Sequence, residues 1–511
     1  MISDQNERQA LIRGLGLIAA VSIIIGNVIG TGVFLKARVM TCNVGTPGWV
    51  VMAWVAAGLL SLAGALTYAE LTAMKPQAGG EYVFLRDAYG RVSSFLFGWM
   101  QMFIAKPGSQ AAAAMAFAIG MNDFLGKKLG YPLTSFTIAG TEFEISTLQI
   151  VAIMVVVIFT TLNCASVAFS GQIATALTGV KIALILMVGV GAFAWASGDF
   201  GHFSLAEAGG TCEGVADSVR IGSPTYSFIG GFAAAMLGAL WGYDGWNNLT
   251  FVAGEVKEPG RNIPLAIIGS TILVIVLYVF VHIGYFYVLD PTAIASVSKS
   301  SSVAMSVVST FFGGNVASFA TGAVIALFTT GLMLSSLGTL HTSILSGSRV
   351  PYAMAQDGLM FKPLGQLSAT KVPVKALILQ GIWASVLALS GSFDTLTDYV
   401  VFGSWIFYAL VTSSVFVFRR KHPELERPYR AWGYPVVPVV FLLVAGWLLY
   451  TTFASDLSTI RDAYAAGGGA GSVVGAVMKT SSFAGTLLIL LGLPVYYYLN
   501  SKRASDGAAG E

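Results

Sequence analysis

Residues 39–69 run for 31 positions without a single Asp, Glu, Lys or Arg. Such stretches recur: 145–180 holds 36 residues of this kind, 262–289 holds 28, 300–348 holds 49 and 431–455 holds 25. About 20 mainly apolar residues suffice for a helix to cross the hydrocarbon core of a bilayer. Of the 511 residues, 55% are apolar and 10% charged, where an ordinary soluble domain has ~25% charged. Those proportions exclude a soluble globular enzyme and a disordered chain. A net charge of +3 leaves no basic footprint for nucleic acid, and three cysteines are too few for a disulfide scaffold.

In lipid every backbone polar group must be satisfied internally, by helices or by a closed barrel. A barrel would show alternating strands of about ten residues, which are absent here. The reading is therefore an all-α integral membrane protein with twelve transmembrane helices. They are segment 1 (14–41), 2 (47–73), 3 (92–122), 4 (146–165), 5 (171–197), 6 (226–254), 7 (263–289), 8 (315–347), 9 (372–391), 10 (394–420), 11 (431–453) and 12 (480–500), with segments 4 and 5 parted at Ser166–Gly171. An even number puts both termini on one side. That side carries 18 Lys and Arg and the other 8, so the positive-inside rule makes the termini, 1–13 and 501–511, cytosolic. Asp4 and Glu7 precede the first apolar run, which reads as a span and not as a cleaved signal. Outside, 198–225 and 454–479 read as the largest loops, the second Gly-rich through GGGAG.

Two spans are written to break. Segment 1 contains GNVIGTGVF (26–34), and segment 6 contains WGYDGWNN (241–248). Three glycines and an Asn within seven residues make poor helix, as do two glycines, an acid and two amides in mid-span. Irregular backbone at membrane depth must face protein or a watery cavity. The second half of a broken helix presents free N–H groups, which favour a carboxylate. The first half presents free carbonyls, which favour an ammonium group. An α-amino acid fits both poles. Gly26-x-x-x-Gly30 also fits simple close helix packing. Two breaks five segments apart, as first members of two five-helix repeats, instead point to a transporter site.

The motifs carry a family resemblance from about Gly14 to Arg430. They are VIGTGVF (28–34), YAELTAMKPQAGGEYVFL (68–85), YDGWNNLTFVAGEVKEPGRNIPLAI (243–267) and SRVPYAMAQDGLMF (348–361). Through them the chain resembles the amino acid–polyamine–organocation superfamily, nearest the L-type amino acid transporters and their bacterial relatives. The resemblance implies a LeuT-type five-plus-five inverted repeat with helices 1 and 6 broken. The transport core would be 14–420, with repeats at about 14–197 and 226–420, followed by two further helices in 431–500. It implies that N–H groups of Gly30, Thr31 and Gly32 bind the substrate carboxylate. Carbonyls near Val28 and Ile29, and at Trp241 and Gly242, would receive the α-ammonium. Trp241 stands at the aromatic gate, Tyr243 and Asp244 follow it in the break, and Asn247 holds the amide position; Phe34 packs.

Lys181 lies mid-span in segment 5, where a Lys costs about 2.5–3.5 kcal/mol on insertion scales. It must find acceptors. The resemblance suggests that it bridges carbonyls near Gly26 to hydroxyls of segment 8 (Thr339, Thr342 or Ser343), replacing sodium and coupling occupancy to helix 1; the alternative is a static buried ammonium. Asp244 either pairs with a cationic substrate side chain or caps the second half of segment 6. Lys106, before Pro107, reads as structural, with a substrate role second. His341 reads as a packed histidine, and Glu70 and Glu255 as ion pairs beside Lys75, Lys257 and Arg261.

Cys42 and Cys212, both expected outside, could bridge, which sequence cannot decide. Loop 122–146 lacks the cysteine by which animal L-type transporters join a glycoprotein heavy chain, so no covalent heavy chain is expected. No cofactor, metal or nucleic acid is expected, and enzyme signatures (GxxxxGK[ST], HExxH, CxxC) are absent. The expected activity is sodium-independent transport of neutral and, through Asp244, cationic L-amino acids across a cell inner membrane. Exchange, proton symport and uniport remain open. The alternatives are an amino-acid sensor without turnover, or a polyamine or organocation transporter, which would want more than one acid at the site.

Overall fold

The computed structural model describes residues 15–508 except 78, 139–140, 166–169, 316–317, 369–371, 391–392 and 466–469. The tail 1–13, the last three residues, the centre of the Ser166–Gly171 interruption, Lys371 and glycines 467–469 therefore lie outside the described residues, as do the side chains of Glu255, Lys502 and Arg503.

Among the described residues, nine helices are long and apolar enough to cross a membrane, one in each of segments 1, 2, 4, 5, 7, 8, 10, 11 and 12. The other three segments are helical but interrupted or short. Segment 3 runs Arg91–Met100, a π-turn at Gln101–Ala105, and Lys106–Phe124. Pro107 has no N–H to give the preceding turn, and the widened turn is how the helix absorbs it. Segment 6 is helical over Phe228–Tyr243 and then breaks. Segment 9, Val374–Ser390, is 17 residues long.

Local chemistry sets the boundaries. Gly45 ends segment 1 at φ +77°, a left-handed conformation that costs glycine nothing. Thr46 then caps segment 2, its Oγ1 accepting from Trp49 N at 3.4 Å, with Pro47 in the first helical position. Ser318 caps segment 8 in the same way, accepting from Thr321 N at 3.3 Å.

Three expectations are corrected. The chain is not purely helical: β1 (Pro132–Ile138) and β2 (Thr141–Ser146) form an antiparallel hairpin between segments 3 and 4. The supposed loop 454–479 is largely helix, because segment 11 continues through Ala465 and a second helix covers Ala470–Lys479. The residues beyond 453 include Asp456, Arg461 and Asp462, so a hydropathy criterion stops before the helix does. Segment 12 kinks between Ser481–Leu490 and Gly492–Ala508, next to Gly492 and Pro494.

Segment 3 packs most extensively on segment 8, segment 2 on segment 7, and segment 9 on segment 4. One large apolar core includes Ile24, Phe34, Trp54, Tyr68, Trp246 and Tyr278, all buried. On the face holding loop 198–225, Cys42 and Cys212 are joined by a disulfide with Cα atoms 5.7 Å apart. Cys164 is a free thiol.

Candidate functional site

Segment 1 is helical over Leu17–Val28, leaves the helix at Ile29–Thr31, and resumes at Gly32–Leu35 and Ala37–Val44. The break presses directly on segment 6. A Cβ on Gly32 would sit 2.8 Å from Trp241 Cδ1 and 2.9 Å from Gly242 Cα. Segment 6 turns at Asp244–Asn247 and continues as a 3-10 helix, Asn248–Glu255. Gly245 holds φ +105°, and a Cβ there would lie 3.0 Å from Asn27 Cβ. Glycine at these two positions is what lets the two unwound stretches touch. Tyr278 of segment 7 clamps them, its hydroxyl 2.9 Å from both Val28 O and Gly242 O.

Between the breaks lies a cavity of about 40 Å³. Of the ten predicted substrate residues, Val28, Gly30, Thr31, Gly32, Trp241 and Asp244 line it. Ile29, Gly242, Tyr243 and Asn247 do not. Ile29 is fully buried, Gly242 is backed by Trp54, and Tyr243 donates its hydroxyl to Trp54 O at 3.1 Å. Asn247 turns away, its Nδ2 donating to Glu81 Oε1 at 3.0 Å, and Asn248 takes the amide position in the cavity wall.

Lys106, expected to be mainly structural with a substrate role second, lines the cavity. Its Nζ lies 3.5 Å from Asn248 Oδ1 and 5.2 Å above the Phe251 ring. Ser109, one helical turn on, lines the same wall. The Lys-Pro pair in mid-span was the signal. The π-turn before it sets the direction of the side chain and is invisible to periodicity.

Asp244 does not cap the second half of segment 6; the cap position is Asn247, without a side-chain bond. Its Oδ1 accepts from Tyr408 of segment 10 at 2.7 Å. Lys181 Nζ donates to Gly26 O at 2.6 Å and to Thr339 Oγ1 at 2.8 Å. One ammonium thus ties segment 5 to the end of the first helix of segment 1 and to segment 8. Thr342 Oγ1 lies 3.4 Å from Asn27 Oδ1, and Ser343 Oγ donates to Lys106 O at 3.4 Å. His341 is engaged by Asn163 at 3.1 Å.

Above the site, the Trp241 ring meets Phe393 edge-on with centroids 6.2 Å apart. Lys36, almost fully buried, pairs with Asp394 at 3.0 Å and Asp398 at 3.4 Å, and Arg38 pairs with Asp394 at 3.0 Å. On the opposite side, Glu70 bonds Arg419 at 2.6 Å and Arg427 at 3.5 Å. Lys75, the expected partner of Glu70, instead reaches Asp87 at 2.7 Å, and Arg261 pairs with Glu258 at 3.8 Å. Burial raises the Asp87 carboxyl, but the bonds from Lys75 and Arg86 outweigh it and hold the group below its usual range. Among the described residues, no group of three His, Cys, Asp or Glu side chains could hold a metal ion.

Many apolar helices surrounding a small polar cavity at two helix breaks define a multi-pass membrane protein built around a solute site. A model of the Amino acid permease family matches residues 15–492, and the chain belongs to that family. It is 30% identical over 430 residues to the b(0,+)-type amino acid transporter 1 of Oryctolagus cuniculus, covering 84% of this chain and 80% of that protein. It is 27% identical over 506 residues to the serine/threonine exchanger SteT of Bacillus subtilis (strain 168), covering 98% and 99%. The large neutral amino acids transporter small subunit 2 of Mus musculus is 27% identical over 458 residues, covering 88% and 77%. The protein is an amino acid transporter and not an enzyme.

Proposed function

We propose that the protein is a sodium-independent exchanger of neutral and, through Asp244, cationic L-amino acids, working by alternating access through twelve helices of the LeuT type. The observation that carries this reading is Lys181, whose ammonium occupies the junction of segments 1, 5 and 8 with two short bonds. A fixed cation there leaves no need for a coupling metal ion. The pairing of segments 2 with 7, 3 with 8 and 4 with 9 supports two repeats, about 14–197 and 226–420, with 431–500 outside them.

In this reading the N–H groups of Gly30, Thr31 and Gly32 bind the substrate carboxylate. The carbonyl of Val28, a residue of the cavity wall, takes the α-ammonium, with a lone pair left beside the Tyr278 contact. A cavity of about 40 Å³ holds roughly three waters, which favours a small side chain. The SteT relative is by name a serine/threonine exchanger, and the animal relatives are by name transporters of b(0,+)-type and large neutral amino acids. Lys106 and Asn248 offer polar contacts for such a side chain, and Asp244 retains Oδ2 for a cationic one. Both termini are cytosolic, in a cell inner membrane. With Cys42 and Cys212 bonded to each other, neither is free to link a heavy chain.

The test is uptake of labelled alanine, leucine and arginine into proteoliposomes, with and without internal amino acid, sodium or an inward proton gradient. Sodium-independent uptake only into loaded vesicles is expected. Gradient-driven uptake into empty vesicles would make the protein a symporter, and binding without flux would make it a sensor.

A further inference from the structure

The motif Gly79-Gly80-Glu81 opens the helix Glu81–Tyr89 between segments 2 and 3, and the site described above makes no use of it. Its glycines have a steric purpose. Gly80 holds φ +47°, and a Cβ there would lie 2.5 Å from Thr250 Oγ1 and 2.9 Å from Thr250 C. Gly79 N donates to Phe251 O at 3.4 Å. The loop thereby lies flat on the second half of segment 6 and delivers Glu81 beneath the break.

Glu81 is fully buried. Its Oε1 accepts from Tyr68 Oη at 2.7 Å and from Asn247 Nδ2 at 3.0 Å. Its Oε2 is buried with no partner among the described residues. Asn247 Oδ1 lies 3.4 Å from the Tyr408 hydroxyl, which bonds Asp244 at 2.7 Å. A chain of side chains thus runs from the loop through the break to the cavity wall. The charged and titratable groups facing Glu81 are Tyr68 of segment 2, Lys106 of segment 3, Asp244 of segment 6 and, through Asn247, Tyr408 of segment 10.

From this geometry we propose that Glu81 is a positioning residue for the break in segment 6, holding Asn247 loosely as a neutral acid and firmly as a carboxylate, so that its ionisation slows turnover. The proposal rests on the transport reading above. Neutral Glu81 leaves Lys106 and Asp244 as a balanced buried pair, whereas ionised Glu81 adds a second buried carboxylate against one ammonium. Burial raises the Glu81 carboxyl, and bonds from Tyr68 and Asn247 and the Lys106 charge only partly offset it, leaving it at about 7. The folded value is above the ordinary one, so the neutral form holds below pH 7 and is lost as pH rises through it. Hydrogen bonds to a carboxylate are roughly twice as strong as neutral ones. In the alternating access proposed above, the second half of segment 6 moves as the site opens toward the loop, so a tightened Asn247 contact raises that barrier. The expected slowing is about five-fold.

The experiment measures exchange rates in proteoliposomes between pH 6 and 8 for wild type, Glu81→Gln and Glu81→Asp. Wild-type kcat is expected to fall about five-fold around pH 7 with KM little changed. Glu81→Gln, which keeps an acceptor but cannot ionise, runs at one rate throughout, and Glu81→Asp regains an inflection. A flat wild-type profile, or an inflection surviving in Glu81→Gln, overturns the proposal. Infrared difference spectra of the same proteins need no transport. A carboxylic-acid band that vanishes between pH 6 and 8 in wild type and is missing in Glu81→Gln supports the assignment, and its absence from wild type overturns it. Loss of all flux with that band intact counts against the transport reading instead.

Discussion

Replacing Lys181 with Met removes one ammonium and leaves most of the side-chain volume. The ammonium makes two bonds, to Gly26 O at 2.6 Å and Thr339 Oγ1 at 2.8 Å. A bond from a charged donor contributes about 1.5–3 kcal/mol, so the gross loss is about 3–6 kcal/mol. Much of it is returned, because a buried ammonium no longer has to be desolvated. Thr339 keeps its own bond to Ser335 O at 3.2 Å. What remains is chiefly one under-satisfied carbonyl at Gly26, costing about 1–3 kcal/mol. If the tie exists in one of two alternating states, that difference falls on the equilibrium between them. By the transition-state relation it amounts to about a 5- to 150-fold loss in exchange rate. The assay is initial-rate exchange of labelled alanine in proteoliposomes, with calorimetric binding on the same preparation. A monodisperse Lys181→Met protein within two-fold of wild type in both rate and affinity would refute the coupling role.

Asp244→Asn keeps the Tyr408 contact and loses the charge, so arginine uptake should collapse while alanine and leucine uptake persists; equal losses for all three would make Asp244 structural. Gly32→Ala pushes a methyl to 2.8 Å from Trp241 and 2.9 Å from Gly242, where backbone cannot yield. Overpacking of about 1–3 kcal/mol should cut kcat/KM by 5- to 150-fold, read in the same exchange assay. Asp394→Asn weakens the pairing of Lys36, whose side chain is 1% exposed, and of Arg38. Since Asp394 is itself 28% exposed, the cost is about 1–3 kcal/mol and not the full value for a dry pair, seen as a lower thermal midpoint in detergent.

The two breaks were legible because helix propensity and lipid both argue against GNVIGTGVF and WGYDGWNN as straight spans. The reach of Lys181 was legible because a mid-membrane ammonium needs acceptors, and helix breaks expose them. Which amide faces the cavity was not. Asn247 ends the turn and Asn248 opens the 3-10 helix, so no helical period assigns a face to the pair, and the choice falls to contacts with Glu81 and Lys106. Pairs such as Lys36–Asp394, 358 residues apart, are set by packing that no local pattern encodes. The β1–β2 hairpin was missed because, in a chain otherwise written in long apolar runs, its short alternation was read as loop.

Segment 10 joins these features into one mechanical unit. It is a single helix, Phe393–Lys421, and it contributes to three levels of the protein. Asp394 and Asp398 hold Lys36 and Arg38 at one end. Tyr408 holds Asp244 in the middle, and Arg419 holds Glu70 at the other end. At about 1.5 Å per residue, Asp394 and Arg419 are ~38 Å apart along the axis, slightly more than the ~30 Å hydrocarbon core. The ionic ties therefore sit at opposite membrane faces, on segment 1 and segment 2, with the cavity between them. A rigid helix that tilts about its middle loosens one tie as it presses on the other. The Tyr408–Asp244 bond, near that pivot, is the contact least disturbed by the tilt. Under the alternating access proposed above, a helix with that distribution of partners is suited to keep the two sides of the cavity from opening at once.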